Sequence, residues 1–324
     1  VKDVCVPLKS DSISPCIVLY GPTASGKSAL ALALARAFGG VVINADSMQI
    51  YRDLRILSAR PSEEEEALVP HRLYGVLDGD DVCSAARWRD MAKREIQAAQ
   101  AAGQIPILCG GTGFYIKALI QGLSPMPQVP PEIRAKIRAE VAAAPGVSAW
   151  DRLQALDPVA AARIEPMDMQ RISRALEIYA ATGRILTEWQ NDPLDGPPPG
   201  LTFLTCVMVP PRAELVARCD ARLDAMVEQG AMGEVLALMA RNLPDDRPIM
   251  RAVGVPELTA HLMGKITLPE ALAQAKTATR RYAKRQATWA KNQIVPNFLI
   301  KEKYSESLEG KFFAFIEENG LIRV

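Results

Sequence analysis

Short, almost wholly apolar runs alternate with amphipathic stretches through the first third of the chain. Cys16–Tyr20, Val41–Asn44 and Ile105–Cys109 have the length and composition of buried strands. Between them, Ser28–Phe38 and Ser84–Ala102 place apolar residues at helical spacing, with Ser84 positioned to cap the second helix. Strands alternating with helices predict an α/β fold: a parallel sheet flanked by helices, with ligand sites at the carboxyl ends of its strands. From residue 124 to 200 the pattern changes. Pro125-Met126-Pro127 and Pro130-Pro131 open this segment, Pro193 to Gly200 closes it, and helical patterns such as Ile133–Ala144 and Gln170–Thr182 lie between. No convincing strand interrupts them, so an inserted all-helical domain on semi-rigid hinges is expected. Leu201–Val209 resumes the sheet, and the remainder, including Arg212–Gln229, is mainly helical. The expected organisation is therefore a core domain of 1–123 and 201–324 interrupted by a helical domain of 124–200. The acidic run Glu63–Glu66 reads as a solvated helix start or loop.

Directly after the first apolar run comes Gly21-Pro22-Thr23-Ala24-Ser25-Gly26-Lys27-Ser28, which fits G-x-x-x-x-G-K-S. A strand, a glycine-rich turn and a helix start in that order form a P-loop, so the sheet is expected to be P-loop NTPase-like. The glycines allow a tight backbone path, and loop amides at the positive end of a helix point at phosphate oxygens. Lys27 adds a point charge, and the Ser28 hydroxyl is placed to ligate Mg²⁺. A di- or triphosphate ligand follows.

Composition narrows the class. The chain has 324 residues, 49% of them hydrophobic, enough for one large or two moderate domains with a real core. Net charge is +1, so a nucleic-acid partner would have to be read from local charge. Six cysteines without a C-x-x-C pair and two histidines argue against structural zinc and fit reduced core thiols. No apolar stretch approaches the ~18 residues of a membrane span, and the N-terminus does not resemble a secretion signal. A cytoplasmic location and no membrane partner are expected. Local charge is less even: Lys276 to Lys291 contains Lys276, Arg280, Arg281, Lys284, Arg285 and Lys291 and no acid. Arg280/Lys284 and Arg281/Arg285 stand at i,i+4, where like charges repel, so an anionic partner is implied.

The strand ends raise a chemical question. An ordinary P-loop hydrolase carries a second Mg²⁺-organising carboxylate at a strand end, yet Ile105–Cys109 runs into Gly110-Gly111-Thr112-Gly113. The acid present is Asp46, after Val41–Ala45, and taken alone it reads equally as a turn aspartate. Two classes stay open at this point: a small-molecule kinase using ATP, and an RNA-binding ATPase.

Asp46-Ser47-Met48-Gln49-Ile50-Tyr51, set between the P-loop and Gly110-Gly111-Thr112-Gly113-Phe114-Tyr115, resembles the tRNA dimethylallyltransferase (tRNA isopentenyltransferase) family in its bacterial form. The similarity continues in order through Asp157-Pro158-Val159-Ala160-Ala161, Gln170-Arg171-Ile172-Ser173-Arg174-Ala175-Leu176-Glu177, Arg251-Ala252-Val253-Gly254 and Ala283 to Trp289. The resemblance implies transfer of a dimethylallyl group from dimethylallyl diphosphate, with Mg²⁺, to N6 of adenine A37, 3′ of the anticodon, in tRNAs reading codons that begin with U. It also implies a monomer. The diphosphate leaves, and the loop, Lys27 and Arg218 stabilise its charge; Arg222, one turn on, can assist. Asp46 is the expected general base toward N6, and Thr112 matches a threonine near the reacting groups. Asp46, Ser47, Met48 and Gln49 are implied to form the mouth for the adenine. The resemblance further implies contacts with the tRNA anticodon stem-loop from Arg134, Gln170, Arg171, Ile172, Ser173, Arg174, Arg251, Gly254, Arg281 and Arg285. Thr112 also reads as a turn threonine, the arginines of Arg212–Gln229 as a solvated helix face, and Tyr282 and Trp289 as core. Val255-Pro256 departs from the family's aromatic and basic pair, so one RNA contact is expected to be lost or shifted there. The resemblance to the bacterial form implies that no zinc-finger extension is expected after the last motif.

Overall fold

The protein was analysed as a computed structural model that describes residues 15–143 and 147–323. Cys5 and Ala144, the predicted end of the helix from Ile133, lie outside the described residues. Six strands form one parallel sheet in the order β3-β2-β4-β1-β5-β6, with β1 Cys16–Tyr20, β2 Gly40–Asn44, β3 His71–Arg72, β4 Ile105–Gly110, β5 Phe203–Met208 and β6 Phe298–Ile300. Every residue of β1, β2 and β4 is buried, because helices cover both faces. The chain winds one way from β1 to β2 and β3, and the other way to β5 and β6. The loops beside β1 therefore open at a switch point.

Alternation along each strand divides the core. Ile17, Leu19, Val42, Ile107 and Met208 pack on Leu30, Leu34 and Phe38 of the P-loop helix Lys27–Phe38, with Phe312, Phe313 and Ile316 from the helix Glu306–Glu318. Val18, Tyr20, Ile43 and Leu108 face Trp88, Ile96 and Ile116 on the other side. Trp88, fully buried, stacks on Tyr115 at 4.6 Å and donates from Nε1 to Asn44 O at 2.9 Å. That bond holds the end of β2, just before Asp46. The helix Ala85–Ala101 begins as expected, with Ser84 accepting from Arg87 N. Glu63–Leu68 is a helix whose start is fixed by a capping box between Ser62 and Glu65.

Residues Gln121–Pro197 form a second compact unit, containing helices Pro131–Ala143, Val147–Leu156, Pro158–Ala161, Met169–Thr182 and Leu186–Asn191 and no strand among the described residues. Leu153, Ile172, Leu176 and Ile178 centre its own core. Asp157 is buried there, accepting from Ala160 N at 3.0 Å, Thr187 N at 2.9 Å and Thr187 Oγ1 at 2.7 Å. Burial works to raise its pKa, but these hydrogen bonds prevail and hold it below the usual carboxylate range. Among the described residues no helix is long and apolar enough to cross a membrane.

Candidate active site at the carboxyl edge of the sheet

β1 ends at Tyr20, and the chain turns through residues 21–26 before the P-loop helix. Ala24 (φ 60°) and Gly26 (φ 102°) take left-handed backbone, which Gly26 adopts without steric penalty. A side chain at Gly26 has no room: its Cβ would lie 2.9 Å from Tyr304 Cβ and 3.6 Å from Arg218 Nη2. Arg218, partly exposed, therefore stands beside the loop. Arg222, from the same helix Arg212–Glu228, brings Nη1 to 3.4 Å from Thr23 Oγ1. Lys27 Nζ donates to Pro22 O at 3.2 Å. Burial pushes the Lys27 ammonium below the ordinary lysine range, against the opposing pull of Cys109 and Asp46, and burial likewise lowers Arg222. Two half-buried cations beside a loop of backbone amides suit an anion. Ser25 Oγ is buried there with no hydrogen-bond partner.

Two strands away, the end of β2 is held by a side-chain latch. Asn44 Nδ2 donates to Asp46 O at 2.9 Å and Leu73 O at 3.0 Å, and Asp46 N returns a bond to Asn44 Oδ1 at 2.7 Å. Asp46 Oδ1 accepts from Met48 N at 2.9 Å. The turn role of Asp46 is thus real, but it occupies only one carboxylate oxygen. Thr112, after β4, accepts Ser47 N at 2.9 Å on Oγ1 and donates its own N–H to Ala45 O at 3.2 Å. It ties the two strand ends together. Their approach demands Gly110, where a Cβ would sit 2.1 Å from Ala45 C. Burial, then the charge of Asp46, pushes the pKa of Tyr282 up.

The long helix Leu268–Gln293 closes the site. Its buried positions are Ala271, Ala275, Ala283, Gln286 and Ala290, an alanine stripe with one polar member. Gln286 Oε1 accepts Thr23 N at 2.8 Å, its Nε2 donates to Gly111 O at 2.9 Å, and its carbonyl accepts Tyr20 Oη at 3.0 Å. One buried amide therefore joins the phosphate loop to the turn carrying Thr112. The readable signal for Gln286 was a glutamine in a row of alanines. Trp289 packs against the same turn, where a Cβ on Gly113 would meet its ring at 2.1 Å.

The cations of this helix divide into two sets. Lys276 pairs with Asp224 at 2.7 Å and Arg280 with Asp220 at 2.8 Å, both on the helix Arg212–Glu228. Arg281, Lys284, Arg285 and Lys291 are exposed, with Arg285 lying over the Tyr282 ring at 5.6 Å. A groove of about 500 Å³ runs past Arg281, Lys284, Arg285 and Trp289 with no carboxylate along it.

In the helical unit, Gln170, Arg171 and Arg134 are exposed and Arg174 is partly so. Ile172 is fully buried in the unit's core and Ser173 is 8% exposed. Helical spacing turns both inward, on the helix that carries the exposed Gln170 and Arg171 and the partly exposed Arg174. Gly254 is also turned inward. It is buried with φ 98°, a Cβ there would meet Leu57 at 2.9 Å, and its role is a backbone turn behind the exposed Arg251. Gln49 spends its amide donors on Ser58 O and Ala59 O at 3.1 and 2.7 Å, which stiffens the loop after Asp46. Val255 is buried, with Pro256 exposed beside it.

Ser28 is exposed at the helix start, near the buried Cys109 thiol, whose pKa burial pushes up to about 11. No group of three His, Cys, Asp or Glu side chains suited to a metal exists among the described residues. A hard cation here fits as one shared between the Ser28 hydroxyl, phosphate oxygens and water, the usual manner of Mg²⁺.

The profile of the IPP transferase family matches residues 49–293. A tRNA dimethylallyltransferase of Rhodospirillum rubrum is 55% identical over 297 residues, covering 91% of this chain and 91% of that protein. Another, of Parvibaculum lavamentivorans, is 47% identical over 97% of this chain and 99% of that protein. Among solved structures, the tRNA isopentenylpyrophosphate transferase of Bacillus halodurans superposes with a TM-score of 0.67 at 32% identity, over 94% of this chain and 96% of that one. A eukaryotic dimethylallyltransferase acting on tRNA superposes with a TM-score of 0.77 at 26% identity, over 95% of this chain and 81% of that one.

Proposed function

The chain belongs to the IPP transferase family, and from that premise we propose that it is a tRNA dimethylallyltransferase acting as a cytoplasmic monomer on A37 of the anticodon loop, in tRNAs reading codons that begin with U. The observation that carries this reading is the pairing of a phosphate cradle after β1 with a carboxylate after β2, joined across the intervening end of β4 through Thr112 and Gln286.

Dimethylallyl diphosphate lies with its phosphates against the amides of residues 21–28, Lys27, Arg218 and Arg222. The allylic C1–O bond breaks, and the diphosphate leaves with the electron pair. Those cations stabilise the charge it gains. Mg²⁺, for which Ser28 Oγ is the protein ligand, supplies further charge neutralisation at the diphosphate when bound. The exocyclic N6 is a weak nucleophile because its lone pair is delocalised into the ring. As N6 bonds to C1, its proton passes to Asp46, whose second carboxylate oxygen is not used by the turn. Thr112 and Ser47 hold that carboxylate's loop in place. An unpaired loop base leaves its stack at small cost, and the exposed arginines of both units hold the RNA backbone.

Incubation with labelled dimethylallyl diphosphate and unmodified tRNA tests the reading, with label expected on A37. A kinase or an RNA-dependent ATPase leaves the RNA unlabelled. Asp46→Asn is expected to bind both substrates within a few fold while single-turnover transfer falls by ~10²–10⁴. Near-normal transfer by that variant would remove Asp46 from the base role.

A further inference from the structure

We propose that Glu177 is a positioning residue that sets Arg134, Arg138 and Arg174 into one array for RNA phosphates. The inference rests on the tRNA reading above and extends it to two residues, Arg138 and Glu177, that the motifs did not mark as RNA contacts.

Glu177 lies on the helix Met169–Thr182, next to Leu176 and Ile178 of the unit's core, with its side chain only 3% exposed. A carboxylate buried there costs several kcal/mol unless cations satisfy it. Three do. Arg138 Nε donates to Oε1 at 3.0 Å, while Arg134 Nε and Arg174 Nη1 stand 3.9 Å from Oε2. Arg134 and Arg138 are at i,i+4 on the helix Pro131–Ala143, and Arg174 reaches across from the neighbouring helix. Like charges so close repel, and the shared carboxylate holds them together. The arginine side chains remain 46%, 53% and 40% exposed, so each is drawn inward at one edge and faces solvent at another. A bland reading makes the cluster a staple between two helices. A single arginine would serve that purpose, and an apolar pair would serve it better. Three guanidinium groups around one buried acid hold more positive than negative charge in fixed orientation, which suits phosphate oxygens. Arg171, one turn before Arg174, is 69% exposed and is paired with Asp168 at 3.4 Å.

Glu177→Gln in the full chain separates orientation from charge. The substitution makes the patch more positive, so attraction by charge alone predicts tighter tRNA binding and a steeper salt dependence. Positioning predicts the reverse: KM for tRNA rises about tenfold and the salt slope flattens, while kcat at saturating tRNA and the affinity for dimethylallyl diphosphate hold. Glu177→Asp should recover part of the loss. If thermal melting shows that Glu177→Gln unfolds, Arg138→Lys keeps the charge but loses the planar fork, and the same rise in KM is expected. An unchanged or lower KM for tRNA in the folded variants overturns the inference. Absence of prenyl transfer by the wild-type protein would instead overturn the reading on which it rests.

Discussion

Lys27 sits inside the loop proposed to hold the diphosphate, and burial has already lowered its pKa before any ligand arrives. A bound diphosphate favours the charged form and raises that pKa again. Affinity from Lys27 is therefore full below the free-protein pKa and is lost as pH rises through the bound value. Between the two, binding takes up a proton. Calorimetry in buffers of different ionisation enthalpy should show this uptake, and Lys27→Ala should abolish it while raising the barrier to transfer by ~2.7–4 kcal/mol. Unchanged turnover in that variant would remove the loop's assigned role. Gln286 offers a second test at this scale. Gln286→Leu keeps the volume but leaves Thr23 N and Gly111 O without their partner, at about 1–3 kcal/mol for each buried group. Weaker binding of dimethylallyl diphosphate with little change in tRNA affinity is expected. Equal loss of both would mean that the amide supports the helix rather than the loop.

At the scale of elements, the helix Leu268–Gln293 shows how far a charge pattern can be read. Its acid-free run implies an anionic partner, but Lys276 and Arg280 are already matched by Asp224 and Asp220, which lie more than fifty positions earlier in the chain. Neutralising Arg281 and Arg285 together should weaken tRNA binding and flatten its salt dependence by roughly the number of phosphate contacts removed. Arg280→Gln should instead lower thermal stability and leave the salt slope as it was. If both variants change the slope alike, the division of the helix into a paired and a free face is wrong. The central strands were legible because burial on two faces demands continuous apolar runs. β3 and β6, of two and three residues at the sheet's edges, carry no such run and were missed.

For the whole molecule, the core of residues Gln121–Pro197 shares no member with the clusters on the sheet. Leu153→Ala, at a fully buried position, is expected to cost ~2–5 kcal/mol within the helical unit. Hydrogen exchange should rise across its helices, tRNA affinity should fall, and binding of dimethylallyl diphosphate should persist. Equal deprotection of the P-loop helix would show that the two units unfold as one.

The amino-acid sequence determined the phosphate loop, the alternating strands and helices, the proline-bracketed insertion and the ordered motifs of the family. Each rests on local constraints: a backbone path that needs glycine, a periodicity of two or 3.6, or a run of residues close in the chain. Tertiary structure decided which of those residues face the chemistry. Ile172, Ser173 and Gly254 stand in family motifs yet are buried, because a motif also records what holds its neighbours in place. Gln286 and the three arginines around Glu177 gain their meaning from partners distant in the chain or on another helix. A side chain's burial and partners depend on such distant segments, and no local pattern specifies them.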